Sequence, residues 1–276
     1  MRLVVLSDNR SVDDSLETEH GLCIYLEIGD TKCLLDTGAS DLFVRNAAKL
    51  NIDLTAVDYV FISHGHADHI GGLPIFLTLN QKAKIVLSKN ACNRKFFSSR
   101  NNIHQISIDF DLTPYSERVI FVDGSLKIEE DILVFPALKS DYQKPKGNST
   151  LYKDTGVGMI PDDFNHEIVV CFGVDKLLVY TGCAHKGLLN ILDSIVLKPA
   201  QQIGIVIGGF HLLDSTLLQP FETTEDIDFI AKVVKKKYFR THFITGHCTG
   251  DKVFRQLKVE LGDHLTNFHA GYSISF

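Results

Sequence analysis

Three imidazoles and a carboxylate crowd into one short segment at His64, His66, Asp68 and His69, directly after the apolar run Tyr59-Val60-Phe61-Ile62. A short apolar run marks a buried strand, so these side chains are delivered at a strand end. Crowded imidazoles repel one another when charged and cost free energy when buried neutral without partners. A divalent cation removes both costs, because neutral imidazole nitrogen and carboxylate oxygen are among its preferred ligands. Continued alternation would turn His64 and His66 to one side and Asp68 and His69 to the other, which suits two adjacent ions. Three later apolar runs end in His185, His211 and His247, each beside glycine, which lets a backbone turn sharply near a ligand. Ligands of layered α/β folds bind outside strand ends, so four such ends point to one shared pocket. His185 and His247 are expected as further ligands. His211 stands between ligation, support of a ligand and contact with substrate.

Two residues near these blocks have two readings each. Asp36 ends the run 32–35 and either accepts the second N–H of a metal-bound imidazole or only orders the turn. Cys183, in Thr181-Gly182-Cys183-Ala184-His185, is either a thiolate ligand or a small buried hydrophobe. Thr249-Gly250, just before the last helix, offers backbone N–H groups suited to a phosphate, although the same residues also make an ordinary cap.

The elements that must position these groups follow from periodicity. A first strand at 3–6 leads into a polar segment to His20, and runs at 22–28 and 32–35 form a hairpin around Gly29-Asp30. Ser40 caps a helix through Leu42, Phe43, Ala47 and Leu50, and a short helix after Pro74 precedes a strand at 84–88. Residues 89–118 read as an irregular insertion, 119–123 and 127–138 as strands, and 141–163 as a long surface loop rich in glycine and proline. A hairpin follows at 168–172 and 177–180, then a helix at 188–195, a strand at 203–207, a helix at 226–238 and a strand at 242–244. A last helix and an antiparallel tail at 265–276 complete the series. No fixed repeat and no linker-like break in composition interrupt it, so residues 1–276 are expected to form a single domain.

Composition bounds the class. The chain has 276 residues, 45% hydrophobic and 22% charged, which are globular proportions. A net charge of -6 gives nucleic-acid binding little electrostatic support, and Lys235-Lys236-Lys237 reads as the wet face of a helix. No apolar run reaches membrane-spanning length and the opening apolar segment is short for a signal peptide, so a cytoplasmic protein is expected. The six cysteines form no CxxC pair, and reduced thiols are the default.

The array His64-x-His66-x-Asp68-His69, with Leu34-Leu35-Asp36-Thr37-Gly38 before it, resembles the metallo-β-lactamase-fold hydrolase superfamily over essentially the whole chain. That resemblance implies an α/β fold, a four-layer αββα sandwich with two mixed β-sheets and a dinuclear metal site at one edge. Thr181-Gly182-Cys183-Ala184-His185, Gly208-Gly209-Phe210-His211-Leu212 and Gly246-His247-Cys248-Thr249-Gly250 resemble the branch named for the archaeal dihydropteroate-type synthase, which joins a dihydropterin to ribofuranosylaminobenzene phosphate. Carried over by position, His64 and His66 resemble the first metal's ligands, Asp68 and His69 the second's, and His247 the last histidine ligand. The superfamily's Gly-His-Thr-type block is missing, and His185 would fill that place. Cys183 stands where the bridging aspartate normally does.

The expected protein is a metal-dependent hydrolase that turns a metal-bound hydroxide on an ester or phosphoester of a small metabolite. Asp68 or a histidine such as His211 would carry the proton. Two divalent ions are expected; zinc suits the ligands best, and iron and manganese accept the same set. The alternative is a dihydropterin-type transferase, so the substrate is a small molecule, phosphorylated or pterin-like. A flavodiiron-like reductase would need more carboxylate ligands than this chain carries, and a non-enzymatic sensor fits poorly with an intact array.

Overall fold

The computed structural model describes residues 1–136, 141–197 and 199–276. They gather into two compact units: Met1–Asp123 with Thr150–Ile168 and His269–Phe276, and Gly124–Ser149 with Val169–Phe268.

The first unit is built on a mixed seven-stranded sheet in the order Ser273–Ser275, Arg2–Ser7, Cys23–Ile28, Thr31–Leu35, Tyr59–Ile62, Lys84–Leu87 and Val119–Phe121. The hairpin expected around Gly29-Asp30 is present: Gly29 takes φ +55°, and Ile28 pairs with Thr31. From Thr31–Leu35 onward every pairing is parallel, so Asp36 and Ser63 leave neighbouring strands at the same edge. Helix Leu42–Lys49 packs Leu42, Phe43, Asn46 and Ala47 inward. Full burial of a side chain such as Phe43 contributes about 1.5–3 kcal/mol. Its first turn is entered from Ser40, whose hydroxyl accepts from Leu42 N–H.

The second unit carries a seven-stranded sheet in the order Leu265–Asn267, His242–Thr245, Gln202–Gly208, Lys176–Tyr180, Ile168–Phe172, Ile132–Pro136 and Leu126–Glu129. The first four strands run parallel, so Tyr180, Gly208 and Thr245 all end at one edge. Helices Leu188–Ser194, Thr224–Lys237 and Asp251–Leu261 bury Leu189, Ile191, Ile227, Ala231, Val234 and Leu257 in the core of this unit. The long helix begins in a reciprocal cap, Thr223 with Asp226, and ends in Lys235-Lys236-Lys237, where positive charge meets the negative end of the helix dipole.

Three expectations about elements change. The segments read as an irregular insertion at 89–118 and a loop at 141–163 instead contribute short strands, Phe96–Ser98, His104–Gln105, Leu151–Asp154 and Met159–Pro161, which pair as a third, antiparallel sheet in the first unit. Strands of two to four residues are too short to show a period. The tail is also not one antiparallel piece. Leu265–Asn267 runs parallel to His242–Thr245, and only Ser273–Ser275 is antiparallel, against Arg2–Ser7. The strand expected at 127–138 breaks into Leu126–Glu129 and Ile132–Pro136, with 137 and 138 outside the described residues. Among the described residues no helix is long and apolar enough to cross a membrane.

Candidate metal centre

In the first unit the buried strand Tyr59–Ile62 ends at Ser63, and the array does not continue as an extended run. His66 caps a one-turn helix, Ala67–Ile70, that carries Asp68 and His69. Helical turning, rather than strand alternation, therefore brings His69 beside His64, with ring centroids 4.1 Å apart, while His66 lies 4.6 Å from His64. The turn is pinned from the Asp36 segment, where Thr37 N–H and its hydroxyl both donate to the His69 carbonyl. The approach is close enough that a Cβ on Gly72 would lie 2.2 Å from Thr37 O, so that position admits only glycine.

Asp36 is completely buried, with its backbone in the left-handed region at φ +59°. Its Oδ1 accepts Ser63 N–H, and its Oδ2 accepts both the Ser63 hydroxyl and His69 Nδ1, each at 2.6 Å. Asp36 thus orders the turn and also accepts from a buried imidazole. Because the Ser63 hydroxyl spends its proton on Asp36, the 2.9 Å contact between Ser63 Oγ and His64 Nδ1 requires Nδ1–H on His64. One carboxylate thus fixes the same tautomer on two histidines, leaving Nε2 of each as the nitrogen with a lone pair. Burial, reinforced by His69 and His66, holds His64 well below the usual histidine range. Neutral imidazoles with Nδ1–H engaged by a carboxylate are what a metal ligand requires. Asp68 sits nearer solvent, its Oδ2 3.7 Å from His69 Nε2 and 3.3 Å from His20 Nε2.

A further buried histidine, His166, was not anticipated. Gly65 N–H donates to its Nδ1, so Nε2 carries the proton and donates to Asp162 Oδ2 at 2.9 Å. Burial pushes the Asp162 carboxyl up, but the hydrogen bond from His166, with the His66 ring nitrogen 3.7 Å away, outweighs it and holds the group far below the carboxylate range. With both nitrogens committed to the protein, His166 supports the array and is no ligand. His166→Ala is expected to lower stability by about 2–6 kcal/mol, about 1–3 kcal/mol for each of the two buried groups it strands, while bound metal per chain stays unchanged. Chemical denaturation and metal analysis of the same preparation check it.

In the second unit, parallel pairing sets three histidine-bearing turns at one sheet edge. The backbone is strained there: Ala184, His211 and His247 are left-handed at φ +56°, +50° and +50°, a conformation costing about 1–3 kcal/mol each in non-glycine residues. Asn148 reads His185 twice, donating from Nδ2 to its carbonyl at 2.7 Å and accepting at Oδ1 from its Nδ1 at 2.9 Å. Here too Nδ1 bears the proton and Nε2 the lone pair. The His185 and His211 rings lie 4.1 Å apart.

Cys183, His211 and Cys248 are buried with their potential ligand atoms within 4.8 Å of one another. Cys248 Sγ accepts His211 N–H at 3.3 Å. Burial alone would raise its thiol, but hydrogen bonds from Cys183 and His211, with the charges of His247 and His211, bring it well below the usual range. Cys248 was missed in the sequence because a cysteine beside a candidate ligand reads as a spacer. Thr249 and Gly250, expected at a phosphate, are committed elsewhere. The Thr249 hydroxyl is shared between Thr245 Oγ1 and Phe210 N–H, and Gly250 N–H goes to Leu212 O. The amides opening helix Asp251–Leu261, at Lys252 and Val253, are capped by the Asp214 carboxylate. A phosphate there would have to displace a carboxylate that already serves the helix end.

The donor chemistry of each unit fits a divalent cation: neutral imidazoles with preset tautomers, a carboxylate at the rim and buried thiols. Comparison with known proteins agrees. Residues 17–138 match the family model described as the metallo-beta-lactamase superfamily. The solved structure of Tm1679, a metal-dependent hydrolase of the beta-lactamase superfamily, superposes with a TM-score of 0.82 at 29% identity, covering 100% of this chain and 99% of that one. An uncharacterized Methanocaldococcus jannaschii protein is 26% identical over 92% of this chain and 91% of its own length. The same organism's 7,8-dihydropterin-6-methyl-4-(beta-D-ribofuranosyl)-aminobenzene-5'-phosphate synthase is 25% identical over 94% of this chain and 90% of its own. The mixed sheets, the array at its strand end and this likeness along the whole chain lead to one conclusion: the chain is a metallo-β-lactamase-fold protein, with the fold of the superfamily's metal-dependent hydrolases.

Proposed function

We propose that the protein is a metal-dependent hydrolase acting on an ester or phosphoester of a small metabolite. The observation that carries this reading is the Asp36–Ser63 network, which leaves Nε2 of two buried histidines with its lone pair, as ligation would need. A structural role alone gives no reason to hold neutral imidazoles at 4.1 Å with the same tautomer. The ligands we assign are His64, His66, Asp68 and His69 in the first unit and His185 and His247 in the second, enough donors for two divalent ions. Zinc is the choice of the donor set, with iron or manganese as alternatives.

When bound by these residues, a divalent ion would supply Lewis-acid activation of water near neutral pH and of an acyl or phosphoryl oxygen. The residues do the rest. Asp36 and Asn148 keep the His64, His69 and His185 rings in one orientation through turnover. In this reading Asp68 takes a proton and returns it to the leaving group, with His211 as the second proton carrier. Cys183 and Cys248 add soft donors that favour zinc over magnesium.

The extended likeness to the Methanocaldococcus jannaschii synthase favours a second reading, a transferase working on a pterin pyrophosphate. Protein purified without added metal, then analysed for metal and assayed on bis-p-nitrophenyl phosphate, separates the two. Metal-dependent turnover without an acceptor supports the hydrolase. Turnover that appears only with a pterin pyrophosphate and an aminobenzene acceptor supports the transferase, and metal-free protein with full activity overturns both.

A further inference from the structure

The polar segment after the first strand reaches the metal array through one side chain, His20. Its Nε2 lies 3.3 Å from Asp68 Oδ2, slightly longer than an ordinary hydrogen bond. At the other ring nitrogen, Asn9 Nδ2 stands 3.1 Å from His20 Nδ1. An amide N–H₂ group only donates, so Nδ1 accepts and the proton sits on Nε2, the nitrogen beside the carboxylate. That is the opposite tautomer to His64 and His69, whose protons are held on Nδ1. Asp68 Oδ2 thus lies between an acceptor and a donor, His69 Nε2 at 3.7 Å and the His20 Nε2–H group at 3.3 Å.

The His20 side chain is 67% exposed, yet the backbone that presents it is fastened on both sides. Before it, the Glu19 carboxylate accepts from Ala39 N–H at 2.9 Å and from the hydroxyls of Ser7 and Ser40. After it, Leu22 N–H donates to the Asp68 carbonyl at 3.0 Å. Gly21 packs so closely that a Cβ there would lie 2.6 Å from Ala39 N and 3.1 Å from Asp68 O. Backbone and side chain of this segment therefore meet the same residue, Asp68. A chance surface pair contributes little and needs no such fastening. Nor is the ring arranged as a ligand, because one nitrogen carries the proton and the other accepts from Asn9.

We infer that His20 is a positioning residue for Asp68. Its Nε2–H group, with the tautomer set by Asn9, holds the carboxylate in the orientation in which it joins His69 on a divalent ion. The role is that of Asp36 with the chemistry reversed: Asp36 is an acceptor that orients an imidazole, and His20 is a donor that orients a carboxylate. The inference rests on Asp68 as a ligand in the hydrolase reading, and it is measured by zinc binding rather than by turnover.

Because the side chain is largely exposed, metal-free His20 variants should melt with the parent. Competition with a chelator should show His20→Ala binding zinc about threefold to tenfold more weakly. That is at or below the low end for losing a ligand's outer partner, as an exposed contact requires. His20→Gln should restore most of the affinity, since its amide nitrogen reaches the place of Nε2. His20→Asn, which reaches only the place of Nδ1, should not. In an Asp68→Ala background, where the remaining imidazoles bind zinc more weakly, His20→Ala should cost nothing further. The ¹⁵N shifts of the metal-free parent at mildly alkaline pH should show His20 protonated on Nε2. Parental zinc affinity in His20→Ala, no rescue by Gln, or an undiminished loss in the Asp68→Ala background overturns the inference and leaves the hydrolase reading standing. A loss as complete as that of His66→Ala, or a proton on Nδ1 of His20, overturns it as well, the former making His20 a ligand. A parent that binds no zinc, iron or manganese overturns the inference and the hydrolase reading together.

Discussion

His66→Ala is expected to lose bound metal and turnover together, with kcat/KM falling on the order of 10³-fold or more. That factor corresponds to the several kcal/mol of charge stabilisation a catalytic metal supplies. His66 is the array member whose removal disturbs the protein least. It stands outside the Asp36–Ser63 network, and its main charged neighbour, Asp162 at 3.7 Å, keeps the shorter bond from His166. The backbone that His66 leads into is fixed independently, since Ala67 N–H donates to Ile106 O and His66 O accepts from His69 and Ile70 N–H. A melting curve close to that of the metal-stripped parent is therefore expected, so lost activity would report lost metal rather than lost fold. Metal analysis after gel filtration, set beside His166→Ala, makes the comparison sharp. The two rings lie 5.3 Å apart, yet only His66→Ala should change metal content. Unchanged metal in His66→Ala would mean that the array binds its ion without this ring.

That contrast also marks how far the sequence was legible. Strands with clear alternation, the Gly29-Asp30 hairpin and the histidines after Tyr180, Gly208 and Thr245 could be read because each signal is local: period, turn residue or strand end. His66 was visible for the same reason, since it belongs to a dense run. His166 was not, because its role arises from pairing Gly65 with a segment about a hundred residues later that shows no period. Ser63 was similarly silent. A serine at a strand end has many ordinary uses, and only the direction of its hydroxyl proton reveals that it relays Asp36 to His64. The short third sheet escaped because two- to four-residue strands take their partners from tertiary context rather than from propensity. At Thr249-Gly250 the sequence pattern fitted both a phosphate site and a cap, and Asp214, distant in sequence, made it a cap. Local chemistry was legible; the partners that commit it were not.

Asp36 is where that commitment is greatest, and its two variants should fail differently. Asp36→Ala leaves three buried donors unanswered, Ser63 N–H, the Ser63 hydroxyl and His69 Nδ1–H. It should cost about 3–5 kcal/mol of stability, measured by urea denaturation. Asp36→Asn keeps shape and volume but replaces one acceptor by an N–H₂ group. Turned toward Ser63, that group meets the Ser63 N–H donor head-on. Turned toward His69, it is tolerated only if the imidazole surrenders its Nδ1 proton and carries it on Nε2. The lone pair then faces the amide, and the nitrogen that should hold a metal is capped by hydrogen. The Asn variant is therefore expected to remain folded while its metal affinity drops about 10- to 100-fold, the range for losing a ligand's supporting carboxylate. Competition with a chelator measures the affinity, and the ¹⁵N shifts of the histidine rings report the tautomer directly. Parental affinity with Nδ1 of His69 still protonated would remove the network from the metal chemistry and leave Asp36 as a turn-forming residue alone.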